Sequence, residues 1–487
     1  MSLGGLEEIG ALNCHLLYWT NKSGITKGVL LDCGQKVGDL PEEDDGFNEI
    51  EAPDFSAIPQ EVDEIVAVFL SHGHLDHIGG INEFIRFYRT SARFANKGIP
   101  PILVSPYTGR QIRSKEFVSL KIYDPPQLEL ENAVHNPDNP TDDYSVEVEP
   151  WSKVQNDDVS FEFFPVLHSI PGSLGCAVHI NGKKVVYTGD FKLHGLNDQQ
   201  TAEYTRVWSN PILADADLLL IDSTSCDRSG TGEPDEIPVG EIYNVLEGHP
   251  NQRVFITMFS SLTDRWSAVM DKMKRFKAPR PVVLHGRSML NSVEHVLEVP
   301  PLKYDHSFVF GGWKKYSYRR KYNVPDNAVI FLTGSQGEPR SALRRLLEDE
   351  EGIMEDIHIG HDDVVLFASR TIPGNEDAVS AILSGLRETG CTIYFPTEHC
   401  DTKECTHDPG THESRWVREA AGDENIRFGR FHVSGHAYQD DLMDFVQTTR
   451  PRRILPVHAD MQRRGVMADL LPEHEVIVPK EREEVVF

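Results

Sequence analysis

Ser71-His72-Gly73-His74-Leu75-Asp76-His77 decides how this chain is read. Just before it, Val66-Ala67-Val68-Phe69-Leu70 is a short apolar run that reads as a buried strand. Just after it, Ile81, Phe84, Ile85 and Tyr88 fall at i, i+3, i+4 and i+7, one face of a helix. The stretch 71–80 is therefore a loop at the C-terminal end of a strand, where the scaffold fixes both ends. Three imidazoles and a carboxylate within six residues suit zinc, manganese or a similar cation. His72 and His74 alternate and can face one ion. Asp76 and His77 continue round the turn and can face a second. A polar loop with chance histidines is the plainer alternative, and the strand-to-helix setting weighs against it.

Further along, other strand-like runs end on the same residue types. Val159, Phe161 and Phe163 alternate, and the run closes on Leu167-His168. Val185-Val186-Tyr187 runs into Thr188-Gly189-Asp190, where the glycine lets the backbone turn close to a metal. Leu218-Leu219-Leu220-Ile221 ends on Asp222, and Ile454-Leu455-Pro456-Val457 ends on His458. A lone strand-end histidine is more often structural. Seven candidates together, His72, His74, Asp76, His77, His168, Asp190 and His458, favour a two-ion centre. A carboxylate can bridge two cations, so Asp190 is the natural bridge. Such a pair makes hydroxide from water at neutral pH and clamps a phosphodiester during in-line displacement.

The 487 residues are too many for one ordinary domain. Hydrophobic residues at 39% and charged residues at 25% make a globular composition. No run of about 18 apolar residues predicts a membrane span. The opening MSLGGLEEIGALNCHLLYW has no basic region before its apolar residues, so no signal peptide is expected. Seven scattered cysteines, an odd number, predict reduced thiols in a cytoplasmic protein. The net charge of −28 argues against a polyanionic partner, although it fixes neither the local sign of a groove nor the field at bound cations.

Strands alternating with helices indicate α/β layers. From about residue 250 a second set of strands is predicted at Val254–Thr257, Val282–Leu284, Val329–Leu332, Val364–Phe367 and Thr392–Phe395. Trp266, Val269, Met270 and Met273 mark a helix between the first two. This reads as a Rossmann-like domain inserted into a first domain, to which the last strand, Arg453–Val457, returns.

With these residues in place, the chain resembles ribonuclease J of the β-CASP group in the metallo-β-lactamase superfamily. The resemblance runs from Leu3–Gly10 through His72–His77, Leu167–Pro171, Thr188–Lys192 and Ile221–Thr224. It continues through Phe259-Ser260-Ser261, Gly286–Met289, Thr333–Pro339 and Ser369–Glu376 to His432-Val433-Ser434-Gly435-His436-Ala437 and Pro456–His458. It implies an α/β fold, a metallo-β-lactamase αββα sandwich at 1–233 and 431–487 with a β-CASP domain inserted at 234–430. It implies a metal-dependent ribonuclease, chiefly a 5′→3′ exonuclease with endonuclease activity as an addition, holding two Zn2+ ions with Mn2+ or Mg2+ as alternatives. His72, His74 and His168 would hold one ion, Asp76, His77 and His458 the other, and Asp190 both. Asp222 would support the site, and His436 would help protonate the leaving oxygen. Phe259, Ser260 and Ser261, with His432, Val433, Ser434, Gly435 and His436, would bind the terminal phosphate of RNA. The family's Gly-Glu after the last histidine is here Ala459-Asp460, with Asp460 as the candidate supporting carboxylate. Only 29 residues follow His458, so the family's extra C-terminal domain is expected to be absent, which touches its usual mode of homo-oligomerisation. Two acidic stretches, about 123–155 and about 397–430, look expanded and could narrow an RNA entrance.

Weaker features remain open. His399, Cys400, Cys405, His407 and His412 read as loop residues rather than a third zinc site, since no paired short Cys motif is present. Arg265, Arg287, Arg340 and Arg370 lie near motif loops and are read either as RNA-backbone contacts or as ordinary surface arginines. His194 reads as a solvated or supporting residue, and Cys33 and Cys226 as small buried hydrophobes. A hydrolase of small esters or thioesters could use the same metal loop, but it needs no large inserted domain. A silent RNA-binding scaffold needs no seven convergent ligands.

Overall fold

The computed structural model describes residues 1–36, 51–114, 129–131, 145–278, 280–286, 288–289, 292, 324–339, 341–348, 358–372, 375–396 and 425–487. The cluster from His399 to His412, Arg287, Arg340 and most of the two acidic stretches lie outside these residues. The chain divides into two compact units. One is made of Met1–Val37, Phe47–Gly232 and Ser434–Phe487; the other contains Glu233–Val433.

The first unit is a four-layer sandwich. Its first sheet orders Ser2–Gly4, Cys14–Thr20, Thr26–Leu31, Glu64–Phe69, Ile102–Val104 and Ser145–Glu147. Its second sheet is built on Arg453–Val457, Leu218–Asp222, Lys183–Tyr187, Leu174–Ile180 and Val159–Pro165, with shorter strands at both edges. Successive side chains of a strand point to opposite faces, and here each face has its own core. Leu218 and Leu220 join Phe161, Phe163, Val29, Leu31 and Phe69 between the sheets. Leu219 and Ile221 turn outward onto Trp208, Phe445 and Val446 of the helices Asp198–Trp208 and Gln439–Thr449. On the far side, Leu16, Leu30 and Val68 pack against Phe84, Ile85 and Tyr88 of the helix Ile81–Thr90. The central strand Leu218–Asp222 is buried on both faces, which is why it reads as a continuous apolar run, whereas Val159–Pro165, buried mainly on one face, alternates.

The second unit is a parallel sheet in the order Val282–His285, Val329–Leu332, Val254–Thr257, Val364–Phe367, Thr392–Pro396 and Ile426–Gly429. Val254 and Ile256 face Trp266, Val269 and Met273 of the helix Thr263–Met273. Phe255 faces the other side, with Val379, Ile382 and Leu386 of the helix Glu376–Thr389. The expected doubly covered, Rossmann-like α/β layer is present, and along the chain it lies between the last two segments that build the sandwich unit.

Strand direction places the chemistry. Lys183–Tyr187, Leu218–Asp222 and Arg453–Val457 are parallel neighbours, and Val159–Pro165 runs the same way two antiparallel steps over. Their C-terminal ends therefore share one edge, and on that edge lie His168, Asp190, Asp222 and His458.

Candidate metal centre

The seven sequence-predicted ligands meet on that edge. Donor atoms of His72, His74, His168 and Asp190 lie within 4.8 Å of one another, and so do those of Asp76, His77, Asp190 and His458. Asp190 belongs to both groups through one oxygen. Its Oδ2 lies 3.7 Å from Nε2 of His72 and of His168, 3.2 Å from Nε2 of His77 and 3.7 Å from Nε2 of His458. In the first group His74 Nδ1 is 2.9 Å from His72 Nε2 and 3.2 Å from His168 Nε2. In the second, Asp76 Oδ2 is 3.5 Å from His77 Nε2 and 2.9 Å from His458 Nε2. Ligands about 2.05 Å from a tetrahedral ion stand roughly 3.3 Å apart, so both groups fit a cation of zinc's size.

The electrostatics agree. Burial would raise the Asp76 and Asp190 carboxyls, but the facing imidazoles hold both below the usual range. Burial opposes charge on His458, yet Asp190 and Asp76 raise it to about 9, and Asp190, Asp76 and Asp32 likewise raise His77. The pocket draws positive charge on the Asp76–His77–His458 side. Burial keeps His72 and His168 low and neutral, the form in which imidazole binds metal.

A second ring of contacts orients the donors. His168 Nδ1 donates to the Gly435 carbonyl at 2.7 Å. His77 Nδ1 donates to Asp32 Oδ2 at 2.7 Å, and Asp32 also accepts from Ser71 N, Ser71 Oγ and the Tyr187 hydroxyl. His458, at φ 58°, has Nδ1 2.6 Å from Thr224 Oγ1, which donates to Asp222 Oδ1 at 2.7 Å. A carboxylate behind a ligating imidazole fixes its tautomer and raises its basicity. Gly189, at φ 57°, is required here: a Cβ on it would lie 2.7 Å from Ser71 Cβ.

His436 stands beside the second group. Its Nδ1 is 2.8 Å from Asp222 Oδ2, and its ring centroid lies 5.3 Å from that of His168 and 5.4 Å from that of His458. Donor atoms of Asp190, Asp222, His436 and His458 also fall within 4.8 Å of one another. Ser434 and Gly435 belong to this unit, and Ser434 Oγ accepts from His436 N at 3.1 Å. Phe259, Ser260, Ser261, His432 and Val433 belong to the other unit. There Ser260 and Ser261 are half-buried in the turn between Val254–Thr257 and the helix Thr263–Met273.

Three readings of the sequence change. Arg265 is not a surface contact for RNA: it is 3% exposed and paired with Asp235 at 2.7 Å. Asp460 does not back His458. It caps the helix Met461–Leu470 and pairs with Arg463 at 2.6 Å, and Thr224 and Asp222 stand behind His458. Asp32 was missed, although Val29-Leu30-Leu31-Asp32 carries the same signal as Leu219-Leu220-Ile221-Asp222: an apolar strand ending on an aspartate. His194 sits 3.4 Å from Asp441, and Cys33 and Cys226 are buried free thiols.

Three family profiles match the chain. Residues 13–279 match the metallo-beta-lactamase superfamily, 251–386 the ribonuclease J beta-CASP domain, and 425–479 the Zn-dependent metallo-hydrolase RNA specificity domain. The ribonuclease J of Mycolicibacterium smegmatis is 29% identical over 94% of this chain and 68% of its own length. That of Sinorhizobium meliloti is 27% identical over 96% and 70%. A solved protein of unknown function from Enterococcus faecalis V583 shares the fold, with a TM-score of 0.58 and 16% identity over 99% of both chains. Among the described residues no helix is long and apolar enough to cross a membrane.

Proposed function

We propose that this chain, which belongs to the metallo-beta-lactamase superfamily and is a metal-dependent ribonuclease of the ribonuclease J kind, degrades RNA from its 5′ end at a two-ion centre. Internal cleavage is a second activity of the same site. The observation that carries the two-ion reading is Asp190 Oδ2, which faces imidazoles of both donor groups. His72, His74 and His168 would hold one ion, Asp76, His77 and His458 the other, with Asp190 between them. Zinc suits this imidazole-rich set, and manganese or magnesium are alternatives. When bound, the ions supply a nucleophile from water at neutral pH and neutralise charge developing on the phosphodiester.

The protein's own residues do the rest. His436, its Nδ1 committed to Asp222, keeps Nε2 to carry the proton for the leaving oxygen. Phe259, Ser260 and Ser261, with His432, Val433, Ser434, Gly435 and His436, bind the 5′-terminal phosphate, since hydroxyls and backbone amides suit phosphate oxygens. The helix Thr263–Met273 begins just after the two serines, and its N-terminus favours an anion. The division 1–233, 234–430 and 431–487, cytoplasmic action and homo-oligomerisation belong to the same proposal. Metal analysis of the purified chain tests the centre: about two ions per chain are expected. Asp76→Ala should remove most turnover with the fold intact, and normal turnover in that variant would sink the assignment.

A further inference from the structure

We infer that Arg265 is a positioning residue that holds His432 as an Nε2–H donor for the terminal phosphate of RNA. The inference rests on the phosphate pocket proposed above. Arg265 lies in the first turn of the helix Thr263–Met273, four positions after Ser261. Its Nε and Nη2 donate to Asp235 Oδ1 at 3.1 and 2.7 Å. Nη1 donates to the Ala368 carbonyl at 3.2 Å and Nη2 to the Val433 carbonyl at 3.3 Å. Nη1 also lies 3.2 Å from His432 Nδ1.

That last contact has only one polarity. A guanidinium has donors and no acceptor, and it stays protonated in proteins. His432 Nδ1 must therefore be the acceptor, so a neutral His432 ring carries its proton on Nε2. A fixed N–H donor is what a phosphate oxygen requires and what an uncharged 5′-hydroxyl uses poorly. Asp235 neutralises the guanidinium, and burial keeps it from the RNA. Its effect is exerted through His432 and through the backbone at Val433, which leads into Ser434–His436. One side chain thus ties the first turn of the helix that follows the serines to the strand end at Ala368 and to the segment carrying His432.

The test combines a tautomer measurement with a substrate ratio. Nitrogen-15 long-range spectra of histidine-labelled protein, with His432→Gln to assign the signal, should show a pyridine-type Nδ1 and a pyrrole-type Nε2 on His432. Arg265→Met combined with Asp235→Asn removes both charges of the pair together, and the tautomers should then mix. In the same variant the preference for 5′-monophosphate over 5′-hydroxyl RNA should fall about tenfold, through KM, with metal content unchanged. Arg265→Lys, which keeps the charge but loses the fork, should fall between. A pyrrole-type Nδ1 in the unmodified protein overturns the inference, as does an unchanged preference in the double variant. If the double variant does not fold, the spectrum of the unmodified protein decides. A wild type with no 5′-end preference overturns the phosphate pocket instead, while the nitrogen spectrum still reports on Arg265.

Discussion

His436 Nδ1 lies 2.8 Å from Asp222 Oδ2, and the other oxygen of that carboxylate accepts from Thr224 Oγ1, the partner of His458 Nδ1. Asp222 therefore contacts the proposed proton carrier, His436, with one oxygen and, through the Thr224 hydroxyl, the proposed metal ligand His458 with the other. The two roles separate by mutation. His436→Ala should lower kcat by about 100- to 10,000-fold, the range of a lost general acid, and keep both ions. Asp222→Ala should lower kcat as far and also weaken one ion. Metal analysis beside single-turnover rates checks this; wild-type turnover in His436→Ala would remove the histidine from the chemistry.

Asp32 makes the corresponding prediction for His77. Asp32→Ala leaves the His77 ring without its acceptor, and loss of such a partner typically weakens metal binding about 10- to 100-fold. The His72–His74–His168 ion should be retained. Titration of the metal-free protein with zinc, read by calorimetry, should resolve one weakened site; two unaltered sites would show that Asp32 is only structural.

How much of this was legible in the chain follows from what each signal depends on. The strands Glu64–Phe69, Val254–Thr257, Val329–Leu332, Val364–Phe367 and Arg453–Val457 were legible because apolar runs and punctuation are local; the stretch after Glu64–Phe69, read as a loop, instead closes into a short helix at Leu75–Ile78. The strand Cys14–Thr20 was not: His15–Trp19 reads only as a stretch unlike a leader, and its meaning comes from pairing with Thr26–Leu31. Asp32 and Arg265 were misjudged for a related reason. Their partners, His77 and Asp235, are 45 and 30 positions away, and only the fold brings them into contact.

The second unit carries a pH-sensitive element of its own. Burial, with help from Arg345, lowers His285 to about 4. A histidine depressed in the fold favours the folded state above its unfolded value near 6.5, and that contribution is lost as pH falls toward the folded value. Stability should therefore drop between about pH 6.5 and 4, by up to about 3 kcal/mol from this residue. Melting curves of His285→Gln should be flatter over that window; an identical slope would assign the acid sensitivity elsewhere.

The serine turn makes the fourth prediction. Ser260→Ala combined with Ser261→Ala should reduce a 5′-monophosphate preference by about 5- to 150-fold, the effect of one unmet buried polar group at about 1–3 kcal/mol. Metal content should not change. Rates on one RNA bearing a monophosphate, triphosphate or hydroxyl at its 5′ end provide the check. Equal rates on all three in the unmodified protein would show that the turn holds no phosphate.

The proposed two-ion centre, with Asp190 common to both donor groups, is expected to degrade RNA from the 5′ end. A product-length time course on one RNA, labelled at the 5′ end or the 3′ end and incubated with metal-loaded protein, tests it most directly. The 5′ label should appear as mononucleotide from the earliest times, while the 3′ label should remain in longer RNA until digestion nears its end. Asp190→Ala should leave both RNAs intact. Release of the 3′ label first, or intact RNA in the presence of fully metal-loaded wild-type protein, would contradict it.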